Sequence, residues 1–279
     1  MYDVNSLESH WMPFTANRDF KQNPRIVVKS DGMYLWDYKG GEVIDGSSGL
    51  FCTPLGHGRR EIAEAVYQQM LTNDYTPHFQ LGHPGSFELA ERVCRILPDD
   101  FNHLFFTNSG SESVETAIKV ILAYQRARGQ AQRNRLISRE RAYHGVNMGG
   151  VSLAGMVRNR ETFGLTLPNI SLIRHTWQED QRFSKGQPKT GAELAMDLER
   201  IAKILVVARW RLYLSNLSPG QPARWYRLLA IWKKSAKFVR NMDFCWCLTR
   251  SSPALAAWAP PLPHKNSKSN QISSPWQKP

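Results

Sequence analysis

Apolar positions set the first expectations. Val114, Ala117, Ile118, Ile121 and Leu122 recur at three- and four-residue steps, which predicts a helix with one face on a core. Just upstream, His103-Leu104-Phe105-Phe106 is a short aromatic run of the kind that suits a buried strand. Thr107-Asn108-Ser109-Gly110-Ser111-Glu112 joins the two as a polar turn. Nearer the start, Ile26-Val27-Val28 and Met33-Tyr34-Leu35-Trp36 flank the turn signal Ser30-Asp31-Gly32, and Lys39-Gly40-Gly41 turns the chain again before Val43-Ile44. An antiparallel meander is therefore expected. Gly46-Ser47-Ser48-Gly49-Leu50-Phe51 reads as a flexible loop with an aromatic tip. Ile62, Val66 and Met70 mark a helix over Glu61 to Leu71; Phe87, Ala90, Val93 and Leu97 mark another, stopped by Pro98. Arg135 to Ser138 and Ile170 to Ile173 are strand candidates, and Leu194, Leu198 and Ile201 place a helix from about Gly191 to Lys203. Strands alternating with helices predict an α/β domain with a mainly parallel sheet, whose ligands sit beyond the carboxyl ends of the strands.

The turn at Gly110 has the chemistry of an anion site. A helix N-terminus offers unpaired amides and the positive end of a dipole, and Ser109 and Ser111 add hydroxyls; Gly110 allows a left-handed or closely approached backbone. On these six residues alone, an ordinary N-capped helix fits equally well. No Walker-type lysine follows the glycine and no G-x-G-x-x-G run occurs, which argues against a nucleotide.

Composition divides the chain. Its 279 residues suffice for one large or two ordinary domains. The net charge of +12 suggests nucleic acid until it is mapped: residues 1–203 carry a balance of only +1. From Ile204 onward there are 12 Lys or Arg against one acid, Asp243, together with six of the nine tryptophans. Four cysteines make no disulfide framework in a chain of this length, and a reducing cytoplasm is the expected location. The start carries no signal pattern, and no apolar run approaches the roughly 20 residues of a membrane helix.

Several motifs together resemble one family: His10-Trp11-Met12-Pro13-Phe14-Thr15-Ala16-Asn17-Arg18, Ser48-Gly49-Leu50-Phe51, Gly82-His83-Pro84, Phe106 to Glu112, Tyr143-His144-Gly145-Val146-Asn147 and Phe183-Ser184-Lys185-Gly186. The first 203 residues resemble the class III pyridoxal-phosphate aminotransferases, and within them the β-alanine (omega-amino acid)–pyruvate transaminases. The resemblance implies a PLP-dependent transferase of fold type I, pyridoxal 5'-phosphate as cofactor, a small-molecule amino donor and pyruvate as substrates, and a homodimer or tetramer. It implies that Gly110 and Ser111 hold the cofactor phosphate, that Tyr143 stacks on its ring, and that Phe51 lines the substrate pocket. Tryptophan is common at the Phe51 position in that family; phenylalanine keeps the apolar wall but lacks an N–H donor. His144 is expected to fix its loop rather than carry a proton. No metal is expected.

The expected division is an N-terminal segment and meander at 1–50, part of the large cofactor-binding domain at 51–203, and an aberrant basic, Trp- and Pro-rich tail at 204–279 without a native fold. The large domain is thus expected to be incomplete and the family's C-terminal small domain missing. Two chemical parts required by the family, a lysine that bonds the cofactor and an acid that keeps its ring nitrogen protonated, are not written in the tail as motifs. A shifted reading frame accounts for this. When the last base of each codon is joined to the first two of the next, permitted codons turn Trp246 to Pro253 into Val-Phe-Asp-Glu-Val-Ile-Thr. The same operation turns Arg211 to Leu217 into Ala-Val-Phe-Val-Glu-Pro, Tyr226 to Trp232 into Ser-Pro-Pro-Gly-Tyr-Leu, and Ser274 to Lys278 into Ser-Met-Ala-Lys. The acid's codon then straddles Leu248 and Thr249, and Lys278 stands at the catalytic lysine's position by accident. Little or no transaminase activity is expected of the chain as written. The competing reading makes the tail a nucleic-acid-binding segment, but it lacks an RNA-recognition or zinc pattern, and Cys245-x-Cys247 has no partner ligands at metal spacing. Apolar faces left uncovered by missing central strands would favour aggregation.

Overall fold

The computed structural model describes residues 7–97, 102–164, 167–179, 183 and 190–204, together with the backbone strands 210–216, 245–249 and 256–259. Two compact units divide the chain, Met1–Phe87 and Glu88–Pro279.

In the first unit, a short helix α1 (Asn17–Gln22) precedes the strands β1 (Val27–Asp31), β2 (Tyr34–Asp37) and β3 (Glu42–Ile44). These form the expected antiparallel sheet in the order β1-β2-β3, with Asp31 opposite Tyr34 across the first turn. The Asp37 carboxylate closes the second turn by accepting the Lys39 and Gly41 amides at 2.8 and 2.7 Å, the usual way an aspartate mimics a backbone turn.

The loop that follows is more ordered than its glycines suggest. Element α2 (Ser48–Phe51) is a left-handed turn, with φ of 51, 57, 56 and 71° at Ser48, Gly49, Leu50 and Phe51. Asp45 holds it, accepting the Ser47 amide at 3.1 Å, the Gly49 amide at 2.7 Å and His57 Nε2 at 2.9 Å. The His57 bond, above all, keeps the Asp45 carboxyl at about 2 against the opposing effect of burial. A carboxylate with this many donors can stabilise a conformation that three non-glycine residues disfavour. Phe51 ends the turn and is partly exposed.

Helix α3 (Arg60–Thr72) and helix α4 (Pro84–Ile96) fall where their periodicity predicts. The apolar face of α3 is uncovered, with Ile62, Val66 and Met70 49, 53 and 62% exposed, and no described residue of the first unit belongs to the buried core.

The second unit holds that core. Helix α5 (Gly110–Ala127) packs Val114, Ile118 and Ile121 against Leu136 and Leu153, with Ala117 beside them. Leu122, expected on the same face, is 38% exposed. The run from His103 to Phe106 is not a strand: it has no ladder partner among the described residues, and Phe105 is 67% exposed. Strands β4 (Arg135–Arg139) and β5 (Ile170–Ile173) pair in parallel, Leu136 opposite Ile170 and Arg139 opposite Ile173.

The expectation of a tail without native structure contrasts with three backbone strands within it, β6 (Trp210–Asn216), β7 (Cys245–Thr249) and β8 (Ala256–Ala259). They extend the sheet to the order β5-β4-β6-β7-β8, parallel except for β8. Ladder bonds use the main chain that every residue carries, so an open edge of β4 can be paired whatever the side chains are. Pro260 to Pro263, a run too rich in proline for a central strand, lie outside the described residues.

Two short helices, α6 (Met148–Leu153) and α7 (Val157–Phe163), follow β4, and a 3-10 turn (Ala192–Ala195) leads into α8 (Met196–Ile204). Arg174, just after β5, gives Asp197 in the first turn of α8 three hydrogen bonds, from its amide at 3.0 Å and from Nε and a terminal guanidinium nitrogen at 2.9 Å each. Burial pushes the Asp197 carboxyl up, but these bonds outweigh it and hold it below the ordinary range. Asp197→Ala is expected to cost about 2 kcal/mol, the order for losing charged hydrogen bonds at a site whose arginine is more than half exposed and so partly screened. A urea midpoint comparison would measure it, and an unchanged midpoint would mean that the pair does not fasten α8.

Candidate active site

The centre of the site is the first turn of α5. Ser109 caps the helix, its Oγ accepting the Glu112 amide at 3.2 Å, while the Glu112 carboxylate reaches back to the Asn108 amide at 2.9 Å. The Ser-x-x-Glu spacing encodes a capping box, used here with the carboxylate shifted to the amide one residue before the cap. Thr107 Oγ1 lies 2.6 Å from Ser113 Oγ and donates to the Ser109 carbonyl at 3.1 Å, tying the incoming chain to the helix. The Gly110 and Ser111 amides have no acceptor among the described residues. Gly110 starts the helix in ordinary helical backbone, so the left-handed conformation allowed for by the sequence is not used. What its missing side chain provides is space: a Cβ there would meet nothing within 4 Å.

The loop after β4 is brought to this turn. Gly145, with φ of 113°, presses so closely on Ser111 that a Cβ would lie 2.7 Å from its Oγ and 2.8 Å from its Cα. The Val146 amide donates to Ser111 Oγ at 3.1 Å. With that lone pair engaged, the serine's own proton is left for an acceptor outside. Two amides, a hydroxyl proton and the helix dipole therefore converge beside open space, which meets the requirements of a phosphate.

His144 anchors the loop from below. Its Nε2 lies 2.7 Å from Ser138 Oγ at the end of β4, and both residues are buried. Burial first, and the neighbouring Arg139 charge second, lower the imidazole to about 4, so it is neutral at neutral pH. Nδ1 is buried without a partner, which favours the tautomer in which Nε2–H donates to Ser138 and Nδ1 is left as an acceptor. A ring in this state positions the loop and is poorly suited to carry a proton. Tyr143, one residue earlier, is 38% exposed, and burial raises its phenol above the ordinary range.

Gly110, Ser111 and Tyr143 thus lie on one turn and on the loop packed against it. Phe51 belongs to the first unit, and Lys278 lies outside the described residues. Sequence reasoning missed Glu112, although Ser109-x-x-Glu112 is a readable capping signal, and it missed the contact of Glu115 with Gly150, whose amide donates to Oε1 at 3.0 Å. Among the described residues no group of three His, Cys, Asp or Glu could hold a metal ion, and no helix is long and apolar enough to cross a membrane.

Comparison with known proteins gives the chain a family. The "Omega-aminotransferase" of Caulobacter vibrioides is 47% identical over 204 residues, which is 73% of this chain and 46% of that protein. The "Beta-alanine--pyruvate aminotransferase" of Pseudomonas aeruginosa is 48% identical over 71% of this chain and 44% of its own length. Among solved structures, an (S)-enantioselective omega-transaminase from Thermomicrobium roseum superposes with a TM-score of 0.78 at 30% identity, covering 88% of this chain and 55% of that one. The omega transaminase of Pseudomonas jessenii in complex with PMP gives 0.76 at 27%, covering 87% and 54%. The chain spans about half the length of the proteins it matches. The family model described as "Aminotransferase class-III" matches residues 15–208, and the chain belongs to that family.

Proposed function

We propose that residues 15–208 are the cofactor-holding part of a pyridoxal-phosphate-dependent transaminase that moves an amino group from β-alanine or another omega-amino acid to pyruvate, and that the chain as written does not complete the reaction. The observation that carries the first half is the Ser111 hydroxyl, which accepts the Val146 amide and donates to no acceptor among the described residues, beside the two unpaired amides of α5. Bound there, the cofactor would supply an aldehyde for the amino group and a ring that accepts the electron pair from the donor carbon. Ser111 and Gly110 would grip its phosphate, Tyr143 would cover the ring face, and Phe51 would offer the substrate an apolar wall without a hydrogen-bond donor. Assembly as a homodimer or tetramer, and residence in the cytoplasm, belong to the same reading.

The second half rests on the tail. The family match ends at residue 208, close to where the charge balance changes. In the shifted frame Asn241 to Cys247 can read His-Gly-Leu-Leu-Leu-Val, a turn residue and an apolar run leading directly into Phe-Asp-Glu. The backbone strands β6 and β7 coincide with the two shifted motifs that carry Val-Phe-Val and Val-Phe-Asp-Glu. Read in the present frame, the acid's place falls at Leu248 and Thr249, and a threonine has no charge with which to hold a pyridinium. Residues 204–279 are thus a mistranslated copy of the family's distal strands.

Two measurements test this. Correcting one base between the codons for Ile204 and Arg211 should open a frame that runs past Pro279; stop codons throughout that frame would refute the account of the tail. Borohydride reduction of the full chain with pyridoxal phosphate should leave no stoichiometric pyridoxyl label on Lys278, and a full label there would show the chain to be competent.

A further inference from the structure

Two hydrogen bonds that cross from α5 to the loop after β4 share one spacing. Ser111 Oγ accepts from Val146, and Glu115 Oε1 accepts from Gly150, each pair 35 residues apart. Ser111 and Glu115 are one helical turn apart and therefore lie on one face of α5; Val146 and Gly150 have the same offset on the other side. Glycines let the loop and α6 come close to α5 beside these rungs. Gly145 abuts Ser111, and a Cβ on Gly149 would lie 2.7 and 2.8 Å from the Glu115 carboxylate oxygens and 2.9 Å from Ile118 Cδ1. Gly149 and Gly150 open α6, whose first amides have no intrahelical acceptor, so a carboxylate at that end is favoured by both hydrogen bonding and the local dipole.

We propose that Glu115 is a positioning residue of the cofactor site. By accepting the Gly150 amide it fixes α6, and with it Val146, at the distance that keeps Ser111 Oγ occupied as an acceptor and aims its proton at the phosphate. Without this bond Ser111 is free to turn its lone pair outward, where it would repel an anion. This inference rests on the cofactor reading given above.

The test compares the full chain with Glu115→Ala and Glu115→Gln, using binding of pyridoxal 5'-phosphate and of unphosphorylated pyridoxal by fluorescence, and amide exchange at Val146 and Gly150. Gln keeps an oxygen acceptor and should bind pyridoxal phosphate within about twofold of wild type, whereas Ala should weaken it about tenfold, the order for one hydrogen bond to a charged group. Pyridoxal binding should change little in either variant. Exchange should accelerate at Val146 and Gly150 in the Ala variant and stay slow at Ile118 and Leu136. If Ala binds as wild type does, or Gln is as poor as Ala, the role of Glu115 is refuted while the cofactor reading stands. Equal losses of both ligands, with core protection lost, would reduce Glu115 to a general stabiliser and also refute the role. A wild-type chain with no preference for the phosphorylated form would overturn the cofactor reading itself, and this inference with it.

Discussion

Gly145→Ala is expected to destabilise the chain by about 3 kcal/mol and to separate the Tyr143 loop from α5. Two effects combine. The residue sits at φ of 113°, where a side chain costs about 1–3 kcal/mol, and the new methyl would lie within 2.7–2.9 Å of three Ser111 atoms, an overpacking worth about 1–3 kcal/mol more. Neither side can yield cheaply, because one of those atoms is the Cα of a helix whose Val114 and Ile118 are already buried. Relief would come by moving the loop outward, which breaks the Val146 bond to Ser111. A lower urea midpoint together with faster exchange at Val146 would bear this out; a Gly145→Ala chain with the wild-type midpoint and slow exchange at Val146 would mean that the close approach is not required.

Acidification from pH 6.5 to pH 4 is expected to remove about 3 kcal/mol of stability through His144 alone. The folded imidazole titrates near 4, whereas an unfolded histidine titrates near 6.5. As pH falls through this window the unfolded chain binds the proton first, so stability declines with pH and this contribution levels off below about 4. Above 6.5 both states are neutral and the group contributes no slope. Aspartates held low, such as Asp45 at about 2, add their loss at more acid pH and can be distinguished by that displacement. Denaturation midpoints measured at half-unit steps should show the decline in wild type and a much shallower one in His144→Asn, which keeps a polar partner for Ser138 but does not titrate. An identical slope in the two chains would assign it elsewhere.

The helices α3, α4, α5 and α8 were legible in the sequence because each repeats its apolar residues over two turns or more, and β1 to β3 because Asp-Gly and Gly-Gly signals punctuate them. Helix α6 was not legible: six residues with two glycines give no periodicity, and the Glu115 carboxylate that meets its first turn comes from 35 residues upstream. Phe105 and Phe106 misled in the other direction, since aromatic content indicates strand preference but not whether a neighbouring strand is available to pair. At the site, local chemistry marked Gly110 and Ser111 as a candidate anion turn but fitted an ordinary N-capped helix equally well, and only the resemblance chose between the two. Local chemistry could not mark Tyr143, His144 and Gly145, because their relation to Ser111 is a tertiary contact across more than thirty residues that no local pattern encodes. The left-handed path of Ser48 to Phe51 was hidden for a similar reason, its support coming from Asp45 and, 12 residues further on, His57.

The matched spacing of the two rungs has an evolutionary corollary. Everything proposed to seize the phosphate is drawn from one contiguous stretch, Thr107 to Gly150, and bringing its ends together costs little more than closing a loop half as long. The elements proposed to perform the chemistry are encoded far downstream. Genetic damage beyond codon 204 can therefore silence the reaction while leaving intact, upstream, the instructions for recognising the coenzyme.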